Sequence, residues 1–193
     1  RVLDGSVPYF YRPRLTVPQQ AAYDTMVEGV RSHQAQVTVS GCSFEELELV
    51  ADALRFDHPE LFWFKTFSML GDTITLLYGA SEAEAAALQA RIDEVIPKYL
   101  EGITDEMSAY DVAIRLHVRL IASVDYDTIA LNKQKAEGGP APDKIDYLRT
   151  ICGVFLEGKA VCEGYARAIQ YLLQKCGVEC AEVAGNIRKE NGL

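Results

Sequence analysis

The chain has 193 residues, 49% of them apolar, enough to bury a core of its own as one domain or a small pair. Its 28 Asp and Glu against 19 Lys and Arg leave a formal charge of -9 with no basic cluster, which excludes the positive surface that a phosphate backbone requires, so no nucleic-acid partner is expected. No apolar run approaches the roughly 20 residues needed to cross a bilayer, so no membrane span is expected.

Residues 1–15 carry two prolines, scattered charges and the adjacent aromatics Tyr9, Phe10 and Tyr11 without a period, and read as an irregular surface arm. The first residue is Arg1 rather than Met, without a signal-type segment, so the expectation is that something upstream has been removed, either a signal or lipoprotein anchor or residues left out in cloning, which the sequence does not decide between; an extracytoplasmic or cell-envelope location is the one favoured. The five cysteines are an odd number and leave the redox compartment open.

Regular elements begin at Thr16, where Thr16, Pro18 and Gln19 form a helix start and Ala22, Tyr23, Met26, Val27 and Val30 follow at helical spacing. Gln36 to Val39 alternates like a strand. Ser43-x-x-Glu46 opens a second helix with Leu47, Val50, Ala51 and Leu54 on its face, stopped by Asp57-His58-Pro59. Leu61 to Phe67 and Thr73 to Tyr78 flank Gly71-Asp72 as a hairpin, with Phe62, Trp63, Phe64 and Phe67 as core. Ser81-x-x-Glu84 starts a third helix that Pro97 should bend or end early. Ser108-x-x-Asp111 starts a fourth, whose inner face is read as Tyr110, Ala113, Ile114, His117, Leu120, Ile121 and Val124. Residues 125–144, with Gly138-Gly139-Pro140, read as a long exposed loop. A short apolar segment from Tyr147 to Phe155, a helix containing Cys162 and a strand from Cys180 to Ile187 complete the chain.

Residues 153–185 carry the chemistry. Gly158 precedes a helix with Val161, Tyr165, Ala168, Ile169, Leu172 and Cys176 inward, ended by Lys175 and Gly177. Cys162 therefore sits in the first turn, where unpaired backbone N–H groups and the positive end of the macrodipole favour a thiolate. Lys159 acts in the same direction and Glu163 against it, while Ala160 and Gly164 leave room for a substrate backbone to approach. On placement alone Cys162 reads more readily as one more small apolar residue of a buried helix, and it is the resemblance below that changes the balance.

The string Gly158-Lys-Ala-Val-Cys162-Glu-Gly-Tyr-Ala-Arg-Ala168, followed by Leu172-Leu173, Gly177-Val178 and Val183-Ala184-Gly185, resembles the nucleophile segment of the transglutaminase-like superfamily, in particular its bacterial cysteine protease and acyltransferase domains. The helix from Ser108 to Val124 with Asp125-Tyr126-Asp127 is similar to the element that precedes the nucleophile there. The resemblance implies an α+β protein with a papain-like core: residues 1–103 an accessory region of helices and a hairpin, residues 104–193 the first half of the domain. It implies Cys162 as the catalytic nucleophile of a hydrolase or acyltransferase. Attack on a peptide or carboxamide carbonyl gives a thioester, which water or an amine resolves, with the Cys162 N–H as first oxyanion donor.

The family's histidine and aspartate are expected beyond Leu193, because His33, His58 and His117 all precede the nucleophile. His117 reads as a core histidine and His58 as part of a helix-ending turn. The spacing of Cys152, Cys162, Cys176 and Cys180 matches no zinc pattern, and the acidic residues show no calcium-loop spacing, so neither metal nor cofactor is expected. A Cys176–Cys180 disulfide would require export. The partner is a protein or peptide substrate, with pairing of copies through an exposed sheet edge if the sheet ends here. The rival reading is a non-catalytic binding or envelope-scaffolding module that keeps the fold without the triad.

Overall fold

The computed structural model describes residues 9–185, and its architecture is α+β. A turn of 3-10 helix at Arg12–Arg14 leads into α1 (Val17–Arg31), β1 (Gln36–Thr38), α2 (Phe44–Asp57), β2 (Phe64–Leu70) and β3 (Thr73–Tyr78). The helix starts follow the sequence closely. Gln19 Oε1 accepts from the Thr16 N–H at 3.0 Å, and Ser43 and Ser81 each exchange hydrogen bonds with the glutamate three residues on. β2 and β3 form the expected hairpin around Gly71, whose φ of 58° lies in the left-handed region that favours glycine, and β1 adds to β3, giving an antiparallel sheet of order β1-β3-β2.

The chain continues through α3 (Glu82–Leu100), α4 (Ala109–Ser123), β4 (Asp125–Tyr126), α5 (Thr128–Ala136), β5 (Lys159–Ala160) and α6 (Cys162–Lys175). β4 and β5 pair in parallel, a two-stranded ladder that joins the start of α6 to the end of α4. No helix among the described residues is long and apolar enough to cross a membrane.

Two hydrophobic clusters organise the packing. The first unites Tyr23, Met26 and Val30 of α1, Leu47, Val50 and Leu54 of α2, and Phe64, Phe67, Ile74 and Leu76 of the sheet. The second unites Ile92, Ile96 and Tyr99 of α3, Val112, Leu116 and Leu120 of α4, Ile151, Val154 and Phe155, and Ala168, Tyr171 and Leu172 of α6. α3, placed by the sequence with the accessory region, thus packs in the second cluster. Phe62, Phe64 and Phe67 are buried, and Trp63, half-buried, touches both clusters while its Nε1 donates to Val30 O at 3.1 Å. α6 is tied to the end of α2 by Gln170 Nε2 donating to Phe56 O at 2.6 Å and Gln174 Nε2 to Asp57 O at 3.0 Å.

α3 runs through Pro97 and ends at Leu100, so the proline's missing N–H falls in the last turn, where Arg119 Nη1 holds Tyr99 O at 2.6 Å. Three expectations are corrected. α4 buries Val112, Leu116 and Leu120, at i, i+4 and i+8, and turns Tyr110, Ile114, His117 and Ile121 to solvent, so His117 is not a core residue. Residues 125–144 are not one loop: Asp127 Oδ1 accepts from Ala130 N–H at 2.8 Å and starts α5, which buries no side chain. Residues 180–185 take no strand; the remainder of that expected strand, and residues 1–8 of the arm, lie outside the described residues.

Candidate functional site around Cys162

The approach to Cys162 is built from close backbone contacts. A single π-helical turn over Gly153–Glu157 ends at Gly158, whose φ of 65° reverses the chain into β5. Gly153 is fixed in type by crowding, because a Cβ there would stand 2.1 Å from Tyr147 O. β5 is clamped against β4 by Asp125 N–H donating to Gly158 O at 2.8 Å and Asp127 N–H to Ala160 O at 3.0 Å. Val161, extended, then gives its N–H to Leu148 O at 3.0 Å, and the helix begins.

Cys162 is the first residue of α6 and is exposed, whereas Cys152 is buried and Cys42, Cys176 and Cys180 are half-buried. All five are free thiols. Burial pushes Cys152 up to about 12 and Cys180 up to about 11; it also raises Cys176, and raises Cys42 together with the charge of Glu46. Cys162, the nucleophile expected from the sequence, is thus the exposed thiol of the five, at a helix start where N–H groups have no intrahelical acceptor.

Arg149, which the sequence reading passed over, governs the charge around this turn. Its Nε donates to Glu163 Oε2 at 2.7 Å and its Nη1 to Asp146 Oδ2 at 2.7 Å, and Gln134 Oε1 also accepts from Nη1. Burial works against the guanidinium, but Asp146, Glu163 and Cys162 together hold it above the ordinary arginine value. Glu163, expected to oppose a thiolate, is thus held in an ion pair beside it. The backbone of Arg149 is fixed in turn, since its carbonyl accepts from Arg167 Nη1 at 2.9 Å, and Arg167 Nε reaches the buried Glu182 at 3.2 Å. The only forward signal was an Asp146-x-x-Arg149 pair, too common to single out.

On the other side, Tyr165 lies one turn after Cys162 and donates its hydroxyl to Val124 O. Its ring stacks on Tyr126 of β4, with centroids 6.3 Å apart and planes 14° from parallel. Tyr126 is 51% exposed, so the stacked pair presents an aromatic wall beside the first turn of α6. The Asp125-Tyr126-Asp127 element and the nucleophile turn, 33 residues apart between Tyr126 and Lys159, are thereby brought together.

None of the histidines joins them. His33 is stacked between Trp63 and Tyr78, His58 is buried with its Nδ1 2.8 Å from Glu60 Oε1, and His117 faces solvent on α4. Among the described residues no side chain hydrogen-bonds to Cys162 Sγ, and no three metal-ligating side chains converge. What the arrangement can do is offer an accessible sulfur and backbone donors to an acyl group; among the described residues no histidine stands beside the sulfur to take its proton.

Neither a protein-family model nor a curated protein sequence matches this chain.

Proposed function

We propose that this chain carries the nucleophile-bearing half of a papain-like, transglutaminase-like cysteine enzyme that acts on peptide or carboxamide bonds. Cys162 attacks the carbonyl carbon, its sulfur forming the thioester while the amine departs with a proton; water or a second amine then takes the acyl group and restores the thiol. The first-turn N–H groups receive the developing oxyanion. The reaction also requires a base, in the resembling family a histidine oriented by an acidic residue, to accept and return the proton.

The observation that supports this reading is the exposure of Cys162 alone among five thiols, at the first residue of a helix whose entry is locked by β4, β5 and the Leu148 carbonyl. A second reading, a binding or envelope-scaffolding module without turnover, is favoured by the absence of any histidine beside the sulfur among the described residues. Iodoacetamide labelling mapped by peptide mass spectrometry tests the nucleophile. Carbamidomethylation at Cys162 well ahead of the other four supports the enzyme reading, and Cys162 reacting no faster than an unfolded-chain cysteine overturns it.

A further inference from the structure

The chain after α6 is held by few bonds. Past Gly177 it takes no helix or strand, and among the described residues its backbone N–H groups from 179 to 185 have no backbone acceptor. Val178 N–H donates to Leu173 O at 2.9 Å and Cys180 Sγ lies 3.7 Å from Gln170 O, which lays the segment along α6. Its far end is fixed at Glu182, which is buried, whereas the next residue, Val183, is 80% exposed. A stretch attached in this way belongs to the low-stability end of a fold, where single contacts set how often it opens.

Two side chains hold Glu182, from opposite parts of the molecule. Arg167 of α6 gives its Nε to the carboxylate at 3.2 Å and its Nη1 to the carbonyl of Arg149 at 2.9 Å. Tyr11, 171 positions earlier in the chain, donates its hydroxyl to the Glu182 carbonyl. Tyr11 is itself firmly seated. Its N–H and that of Arg12 both bond the buried Asp57 carboxylate at 2.9 Å, its ring packs on Phe56 with centroids 5.3 Å apart, and the Arg12 Nε donates to Asp24 of α1 at 2.6 Å. The arm is thus built onto the first hydrophobic cluster, while Cys180, which the segment carries, packs against the second.

We propose that residues 9–15 are a strap: seated on α1 and α2, they reach through Tyr11 to Glu182 and keep the segment from Gly177 to Gly185 closed over α6. Loss of the Tyr11 bond leaves Glu182 on Arg167 alone, so the segment opens more often and Cys180 comes into water. Each opening also takes from Arg167 the carboxylate that orients it towards Arg149 O. The state of the arm is in this way passed to the residue that pairs with Glu163 beside Cys162. The device is regulatory rather than catalytic, and it stands whether or not Cys162 is a nucleophile, because Cys180 reports it.

Excess N-ethylmaleimide on the native 193-residue chain, followed by peptide mass spectrometry, reads the opening at Cys180, with the buried Cys152 as the gauge of global unfolding. Tyr11→Phe keeps the ring and both N–H donors and removes only the hydroxyl. It is expected to speed Cys180 labelling about fivefold, the worth of one such bond, and to leave Cys152 at the wild-type rate. Asp57→Asn weakens the seat of the arm and is expected to raise Cys180 relative to Cys152 as well. Tyr9→Phe removes a hydroxyl that holds Arg31 rather than Glu182, and should change neither thiol. Cys180 labelled at the wild-type rate in folded Tyr11→Phe overturns the proposal. So does a rise at Cys180 matched by an equal rise at Cys152, or one that Tyr9→Phe reproduces.

Discussion

Gly164 lies against the carbonyl of Leu148: a Cβ at residue 164 would stand 2.6 Å from Leu148 O and 2.9 Å from the Ala160 side chain. The same carbonyl accepts from Val161 N–H, so the segment before Cys162 and the residue two after it are both set by one backbone crossing. Gly164→Ala is therefore expected to cost about 1–3 kcal/mol, as overpacking against backbone does, and to slow Cys162 alkylation by displacing the first turn. Urea unfolding measures the first effect. Gly185→Ala is the control, since nothing stands within 4 Å of a Cβ there, and it should cost little.

The five thiols should separate by reactivity. With Cys152 and Cys180 pushed up to about 12 and about 11, both are protonated at pH 8, and the raised, half-buried Cys42 and Cys176 are slow as well. Limiting N-ethylmaleimide at pH 8 is expected to give a single adduct on Cys162 in the native chain and up to five in urea. Intact-mass spectra of Cys162→Ser under native conditions should then show almost none.

Asp57 anchors the arm. Its carboxylate accepts from Tyr11 N–H and Arg12 N–H, each at 2.9 Å, and from Tyr23 OH at 3.1 Å, and the residue is 1% exposed. Asp57→Ala leaves these donors without an acceptor and is expected to lose about 2–3 kcal/mol. Asp57→Asn keeps one acceptor oxygen and should lose less. Thermal unfolding of the two variants checks the order.

Glu60 and Glu182 should bend the stability curve in opposite directions with pH. Burial would raise Glu60, but the hydrogen bond and charge of His58, with Arg31 behind, hold its carboxyl below the ordinary value. Its contribution is therefore full above the unfolded pKa of about 4.3 and lost as pH falls through the lower folded value. Glu182 is raised by burial, against the pull of Arg167, so its contribution is full below the unfolded value and lost as pH rises through the higher folded one. Glu60→Gln should destabilise at pH 6 more than at pH 3. Glu182→Gln should flatten the decline just above pH 4.3 instead. Urea midpoints across pH 3 to 7 decide both signs.

The helix starts were legible because Thr16, Ser43, Ser81 and Ser108 each stand three residues before a side chain that completes a local cap, a relationship contained within four letters. The hairpin was legible for a similar reason, with Gly71 between two β-rich runs. The face of α4 was not, because the helix is apolar on two sides, and periodicity cannot say which stripe finds a neighbour. α5 was missed because it buries nothing: its support is the Asp127 cap and the 3.9 Å Lys133–Glu137 pair, which the glycines and prolines after it outweighed. For the site, the position of Cys162 at a helix start followed from Gly158 and the stripe after it. Arg149, Tyr126 and Glu182 came to it through β4–β5 pairing and the return of the chain after α6, contacts that no local pattern encodes.

If Cys162 is an acyl-accepting nucleophile, it reacts with an acyl donor whose leaving group needs no protonation. With p-nitrophenyl acetate, sulfur attack expels p-nitrophenolate and leaves an S-acetyl group, so the leaving group needs no general acid. One acetyl group on Cys162, located by peptide mass spectrometry, is expected with a matching burst of p-nitrophenolate, and neither in Cys162→Ser. Acetylation of Cys162 no faster than that of a cysteine in the urea-unfolded chain would contradict it.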